Sequence, residues 1–177
     1  MGDAVTLPSA SDAAADAERV ARAWAALQQV PDPEVPAISV CELGIVREVV
    51  ARAEGIEVVV TPTYSGCPAT EVSAESIAAA IEAAGLGPAR ITQRRAPAWT
   101  TDWITAEGRG KLRAYGIAPP GACAGGGQAI HVLARDVECP RCGSRHTERL
   151  SAFGATACKA LHRCLDCREP FEHFTPI

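Results

Sequence analysis

The chain has 177 residues, a net charge of −4, 47% apolar residues and only 5% aromatics. That length suits one ordinary domain plus a small appendage, with alanine and valine filling much of the core. The acidic balance argues against a nucleic-acid partner, and no run of 18 apolar residues is present to span a membrane.

Residues 1–10 read as a disordered N-terminus. Asp3, Asp12, Asp16 and Glu18 interrupt the first 22 residues, which lack the apolar stretch of a secretory signal. Eight cysteines without an export signal point to a reducing cytoplasm and to metal rather than disulfides. A helix is predicted from Asp12 to Val30, with Val20, Trp24 and Leu27 on one stripe. Pro31 and Pro33 end it. Ile45 to Ala53 and Ile56 to Thr61 are rich in valine and isoleucine, and Glu54-Gly55 between them reads as a hairpin turn.

A loop, Thr63-Tyr64-Ser65-Gly66-Cys67, leads into a second helix from Pro68 to Ala84, which Gly85 should end. Arg90 to Arg95 reads as a third strand. Asp102 is expected to cap a last helix running to Tyr115, with Gly116 beyond its end. Gly108 and Gly110 weaken that helix. The resulting order, αββαβα, makes residues 11–117 a small α+β domain whose mixed sheet is covered by helices. Residues 118–128, rich in proline and then glycine, read as a linker. Residues 129–177 remain as a separate C-terminal module.

That module carries two Cys-x-x-Cys pairs, Cys139/Cys142 and Cys164/Cys167, with 21 residues between them. Each pair turns the backbone so that both sulfurs face one point, and two pairs can close a tetrahedral site. Structural zinc is the expected metal; a single iron or an iron–sulfur cluster also suits four cysteines. The binding energy would supply the folding energy of a segment too small for a full core. From Val137 onward six Lys or Arg face five Asp or Glu. With four thiolates added, the ribbon suits a protein partner better than DNA or RNA. Cys158 lies outside the knuckle spacing and reads as a buried thiol or a reserve ligand, and His162 is the one histidine kept in reserve. Cys123 falls in the glycine-rich linker.

Cys67 is the candidate for chemistry in the first domain. It precedes Pro68 at a helix start, where free amides and the helix dipole stabilise a thiolate. The plain alternative is a small apolar residue plugging a turn. Asp32 and Glu34 form a proline-spaced acidic pair, and Glu42 follows. They could neighbour Cys67, or serve as surface acids and one helix cap. Cys41, among Ile38, Val40 and Leu43, reads as core. No phosphate loop, dinucleotide fingerprint or Ser-His-Asp set is evident.

The run Asp32-Pro33-Glu34-Val35-Pro36, then Ile38 to Val46, then Thr61-Pro62-Thr63-Tyr64-Ser65-Gly66-Cys67-Pro68, resembles the iron–sulfur cluster assembly-factor domain. The C-terminal Phe153-Gly154-Ala155-Thr156-Ala157-Cys158-Lys159-Ala160-Leu161, with the second knuckle and Glu169-Pro170-Phe171, resembles the D-component family of bacterial phenylacetyl-coenzyme A epoxidase systems. Together they cover the chain from about Ala21 onward. Glu42 stands where the assembly-factor family usually has Asp.

The resemblance implies a non-catalytic accessory protein of aerobic phenylacetate degradation. It places the reactive cysteine on Cys67 and the acidic motif on Asp32, Glu34 and Glu42, with no catalytic residues. Its cargo would be transient iron or an iron–sulfur cluster. The client would be a multicomponent oxygenase or its iron–sulfur reductase. One thiolate cannot hold a [2Fe–2S] cluster alone, so either a homodimer shares it or the client and small thiols complete it. A structural subunit of the oxygenase complex is the second reading. A redox enzyme pairing Cys67 with Cys41 or Cys123 is the third, and the wide spacing of these cysteines disfavours it.

Overall fold

The computed structural model describes residues 10–64, 66, 69–121 and 137–175. Helix α1 spans Ala10–Leu27, strands β1 and β2 span Val46–Arg52 and Gly55–Val60, helix α2 spans Ala69–Ala83 and strand β3 spans Ala89–Gln93. A 3-10 turn, Thr101–Trp103, precedes helix α3, Ala106–Tyr115. Strands β4 (Ile117–Ala118), β5 (Thr147–Ser151), β6 (Lys159–Cys164) and β7 (Pro170–Phe174) follow. The expected α+β order of the first part is present.

The first sheet runs β1-β2-β3, antiparallel between β1 and β2 and parallel between β2 and β3. Central β2 is buried along almost its whole length, which its run Ile56-Glu57-Val58-Val59-Val60 permits. Helix α1 lies against β1 and α2, and α2 lies against β3. The α1 stripe buries Ala23 and Leu27 completely. Two arginines tie α1 down: Arg19 Nη2 donates to the Arg52 and Gly55 carbonyls at 3.1 and 2.9 Å. Arg22 Nη2 donates to the Ala84 carbonyl at 2.7 Å, just past the end of α2.

Three boundaries differ from the sequence expectation. Helix α1 stops at Leu27 rather than Val30, because Val30 and its neighbours close the next loop. The Val30 carbonyl accepts from Val40 N at 3.0 Å, and Pro31 bridges Ser39. The last helix starts at Ala106, capped by Thr105, whose hydroxyl accepts from Gly108 N at 3.0 Å. Asp102 instead sits inside the 3-10 turn capped by Thr100. Gly108, a weak helix former, is needed for packing. A Cβ there would lie 2.9 Å from Ile38 Cδ1 and 3.2 Å from the Glu42 carbonyl oxygen.

The third difference is at the start of the expected linker. Ile117–Ala118 forms β4, which pairs in parallel with β7. The second sheet therefore runs β4-β7-β6-β5. Residues 122–128 of the expected linker lie outside the described residues, as do residues 1–9. Phe174 at the end of β7, together with Cys158, belongs to the same apolar cluster as Leu27, Ile56, Ile77 and Trp99. A second, smaller cluster of Ala118, Val137, Cys139, Cys164 and Phe171 lies within the ribbon.

Candidate functional site

The two cysteine knuckles are built alike. In the first, Cys139 N donates to the Ser144 carbonyl at 2.8 Å and Gly143 takes a left-handed φ of +76°. In the second, Cys164 N donates to the Glu169 carbonyl at 3.0 Å and Arg168 takes φ of +67°. Each knuckle thus puts a left-handed residue four positions after its first cysteine. The β5–β6 and β6–β7 hairpins hold the knuckles together, with Thr147 opposite Cys164.

The four sulfurs of Cys139, Cys142, Cys164 and Cys167 all lie within 4.8 Å of one another. Cys139 and Cys167 are 3.8 Å apart, and Cys142 and Cys164 are 3.6 Å apart. A tetrahedron with Zn–S bonds of ~2.3 Å has edges of ~3.8 Å, so the donor set and spacing fit zinc. The backbone amides of Cys167 and Asp166 lower the Cys164 thiol to about 6. A thiolate there is ready for a metal.

The acidic pair lies elsewhere. Asp32 is 4% exposed, and its Oδ1 accepts from Glu34 N and Val35 N at 3.0 and 2.9 Å. Burial raises its pKa against the pull of these amides. Glu34 is half-buried, and burial followed by the Asp32 charge raises it too. Both line a cavity of about 30 Å³ that also touches Thr63, Cys158 and Ala69 and Thr70 of α2. Glu34 Oε2 is 4.0 Å from Cys158 Sγ, across 124 residues of sequence. Cys158 is 4% exposed, and burial raises its thiol pKa. Nothing in the spacing of Cys158 signals this partner. Beside it buried Lys159 pairs with half-buried Glu172, Nζ to Oε2 at 2.8 Å.

Glu42 is not brought to that pair. Its Oε2 accepts from Ser39 N at 2.9 Å, and Ser39 Oγ accepts from Glu42 N at 3.1 Å. This is a capping box, signalled in sequence by Ser39-x-x-Glu42. Glu42 Oε1 also receives Lys111 Nζ at 2.6 Å, which binds the turn to α3. Burial works against the Glu42 charge, but Lys111 and Ser39 outweigh it and hold the carboxyl below its ordinary range. Cys41 is half-buried beside Glu42 and Trp24, in a different recess from Asp32. Burial pushes its thiol up to about 12.

His162 is not part of the sulfur cluster. Its ring stacks on Phe171 at 5.7 Å and meets His173 edge-on at 5.4 Å. Cys67, Pro68, Cys123 and His131 lie outside the described residues. Gly66 and Ala69 on either side of Cys67 and Pro68 are described; Gly66 has φ of +86°.

Residues 20–91 match the iron–sulfur cluster assembly protein family, and residues 127–175 match the PaaD zinc beta ribbon domain. The chain is 49% identical over 155 residues to the putative D component of 1,2-phenylacetyl-CoA epoxidase from Escherichia coli strain K12. The alignment covers 87% of this chain and 91% of that protein. The chain belongs to the D-component family of phenylacetyl-CoA epoxidase. Among solved structures, a domain of unknown function DUF59 from Bacillus anthracis matches with a TM-score of 0.52 at 19% identity. It covers 56% of this chain and 96% of that one, and shares the fold.

For a member of this family the cavity has a composite origin. Asp32 and Glu34 come from the segment matching the assembly family, and Cys158 comes from the segment matching the zinc ribbon.

Proposed function

We propose that this protein is a non-enzymatic accessory factor of a multicomponent phenylacetyl-CoA monooxygenase. It assists assembly of the iron or iron–sulfur centre in the oxygenase or its reductase. The observation that carries the reading is the pair of carboxylates, Asp32 and Glu34, on the wall of a small, mostly apolar cavity that reaches Ala69 and Thr70. Cys67, the family's reactive cysteine, precedes Ala69 by two residues. Burial leaves these carboxylates poorly solvated, which suits transient capture of a positive ion. The name of the E. coli relative and the assembly-family match over residues 20–91 support the same reading.

In this account Cys139, Cys142, Cys164 and Cys167 hold structural zinc in a ribbon spanning 129–177. The unit 11–117 handles the cargo, and 118–128 joins the two. Cys67 binds the cargo transiently, and two chains or the client's own thiols complete any cluster. Glu42 acts by fixing the turn that follows the acidic pair. We place it in the cytoplasm with its client oxygenase. Among the described residues no helix is long and apolar enough to cross a membrane.

The test is Cys67→Ser, co-produced with the oxygenase and its reductase. The expected result is reduced iron occupancy and reduced oxygenase activity. Wild-type values in both would refute a carrier role for Cys67. A second reading, a structural subunit of the oxygenase complex, is favoured by exposed Phe153 and Leu150 on the ribbon, 67% and 48% exposed. Co-purification in fixed ratio with mature oxygenase would support it.

A further inference from the structure

We propose that Arg47, laid on the Trp103 ring, anchors a docking surface for an acidic face of a protein client. The proposal rests on the function above only in naming that client, the oxygenase or its reductase.

The backbone singles out Arg47. It lies in β1, an outer strand of the first sheet. Val46 faces Val60 and Glu48 faces Val59, so Arg47 is the extra residue of a bulge. A bulge re-aims its side chain. Here the guanidinium carbon sits 3.5 Å from the centre of the Trp103 ring, a cation–π contact.

The ring is a fixed platform. Trp103 ends the 3-10 turn, and its backbone N–H donates to the Thr100 carbonyl at 3.0 Å. Arg109 Nη2 from α3 donates to the Thr101 carbonyl at 2.7 Å. On the β1 side Gly44 lies against the same residue. A Cβ there would stand 2.7 Å from Trp103 Cβ and 2.7 Å from its carbonyl oxygen, so this close approach requires glycine.

The charge on the platform is unused. Arg47 is exposed, and among the described residues no carboxylate pairs with it. A guanidinium stacked on a ring keeps its N–H donors in its own plane, free for the two oxygens of a carboxylate. Next to it, Glu48 is already held by Arg94 at 2.8 Å, and exposed Arg95 follows Arg94 in the chain. Asp102, beside Trp103, has interactions of its own.

This basic cluster stands on a chain of net charge −4. An acidic protein face is repelled by the chain as a whole and attracted here, which fixes how it docks. Arginine and tryptophan are also the residue types that dominate binding energy at protein interfaces. A nucleic acid would need a longer basic track and meets the same overall repulsion.

The experiment measures binding of full-length, zinc-loaded protein to the purified oxygenase complex and to the purified reductase by biolayer interferometry. Wild type should bind one of them, and more weakly as salt rises from ~0.05 to ~0.3 M. Arg47→Glu should weaken that binding by about tenfold or more, with zinc content and circular dichroism unchanged. Arg47→Lys should keep only part of the affinity, because an ammonium offers no fork. Trp103→Leu keeps the charge but removes the platform, and should fall between wild type and Arg47→Glu. Arg90→Glu, at the other end of β3 from Arg94, makes the same change in net charge and should bind as wild type. Normal binding by Arg47→Glu, an equal loss in Arg90→Glu, or a wild type that binds neither component would each overturn the assignment. If Arg47→Glu loses binding while Cys67→Ser leaves the oxygenase fully active, the docking surface stands and the carrier role fails. If Cys67→Ser lowers iron occupancy while Arg47→Glu binds normally, the reverse holds.

Discussion

The Phe174 ring packs 6.0 Å from the Trp99 ring at an angle of 47°, and the two residues are 1% and 3% exposed. Trp99 is itself fixed by its indole N–H, which donates to the Leu43 carbonyl at 3.0 Å. Phe174 belongs to the ribbon sheet, and Leu43 follows the acidic loop. One aromatic contact therefore links the last strand to the segment that positions Asp32.

Phe174→Ala should cost about 3–5 kcal/mol, the usual range for a fully buried phenylalanine. Because the cluster spans both sheets, denaturant unfolding followed by tryptophan fluorescence and by zinc release should give one coincident transition in the wild type. A ribbon that releases zinc well before the fluorescence changes would contradict a shared core.

Asp32→Asn should separate stability from function. Asn keeps an acceptor for the Glu34 and Val35 amides but removes the buried charge. The folded pKa of Asp32 is raised above its ordinary 3.8. Its contribution to stability is thus fully present below that value and is lost as pH rises through the raised one. The variant escapes this loss. It should therefore match or exceed wild-type stability at pH 7, by up to about 1 kcal/mol, and its advantage should shrink toward pH 4. Removing the Asp32 charge also relieves Glu34, whose pKa that charge raises. Urea unfolding at the two pH values measures the effect, and a variant less stable at pH 7 than at pH 4, relative to wild type, would contradict it.

The paired knuckles differ in one residue type at their left-handed position, Gly143 in the first and Arg168 in the second. A Cβ at Gly143 meets nothing closer than Glu138 Oε1 at 3.7 Å, so the penalty for Gly143→Ala is backbone strain alone. It should be about 1–2 kcal/mol. Arg168→Gly should be neutral or stabilising by up to about 1 kcal/mol, since it relieves the same strain. Rates of zinc loss to a chelator should rise for Gly143→Ala and stay level or fall for Arg168→Gly.

The legible parts of this protein are those whose cause is local. Valine- and isoleucine-rich runs with Glu54-Gly55 between them specify the β1–β2 hairpin, because turn chemistry and β-branched composition act within a dozen residues. Gly85 and Gly116 mark helix ends for the same reason: their backbones take φ of +69° and +100°. The two Cys-x-x-Cys pairs carry their own geometry, so the sulfur cluster is visible without the fold. The start of α3 is not legible in this way. Thr105, not Asp102, is placed to cap it, and that choice depends on Gly108 fitting against Ile38 and Glu42.

By itself the sequence determined the local elements, the sulfur tetrad and the two family resemblances. Tertiary structure alone decided which acids share a site. It separated Glu42 from Asp32 by giving Glu42 to Ser39 and Lys111. It also carried Cys158 across 124 residues to Glu34. The physical reason is that burial of Phe174 and Cys158 in a common apolar core sets those distances, and no short-range pattern records which distant side chains will be buried together.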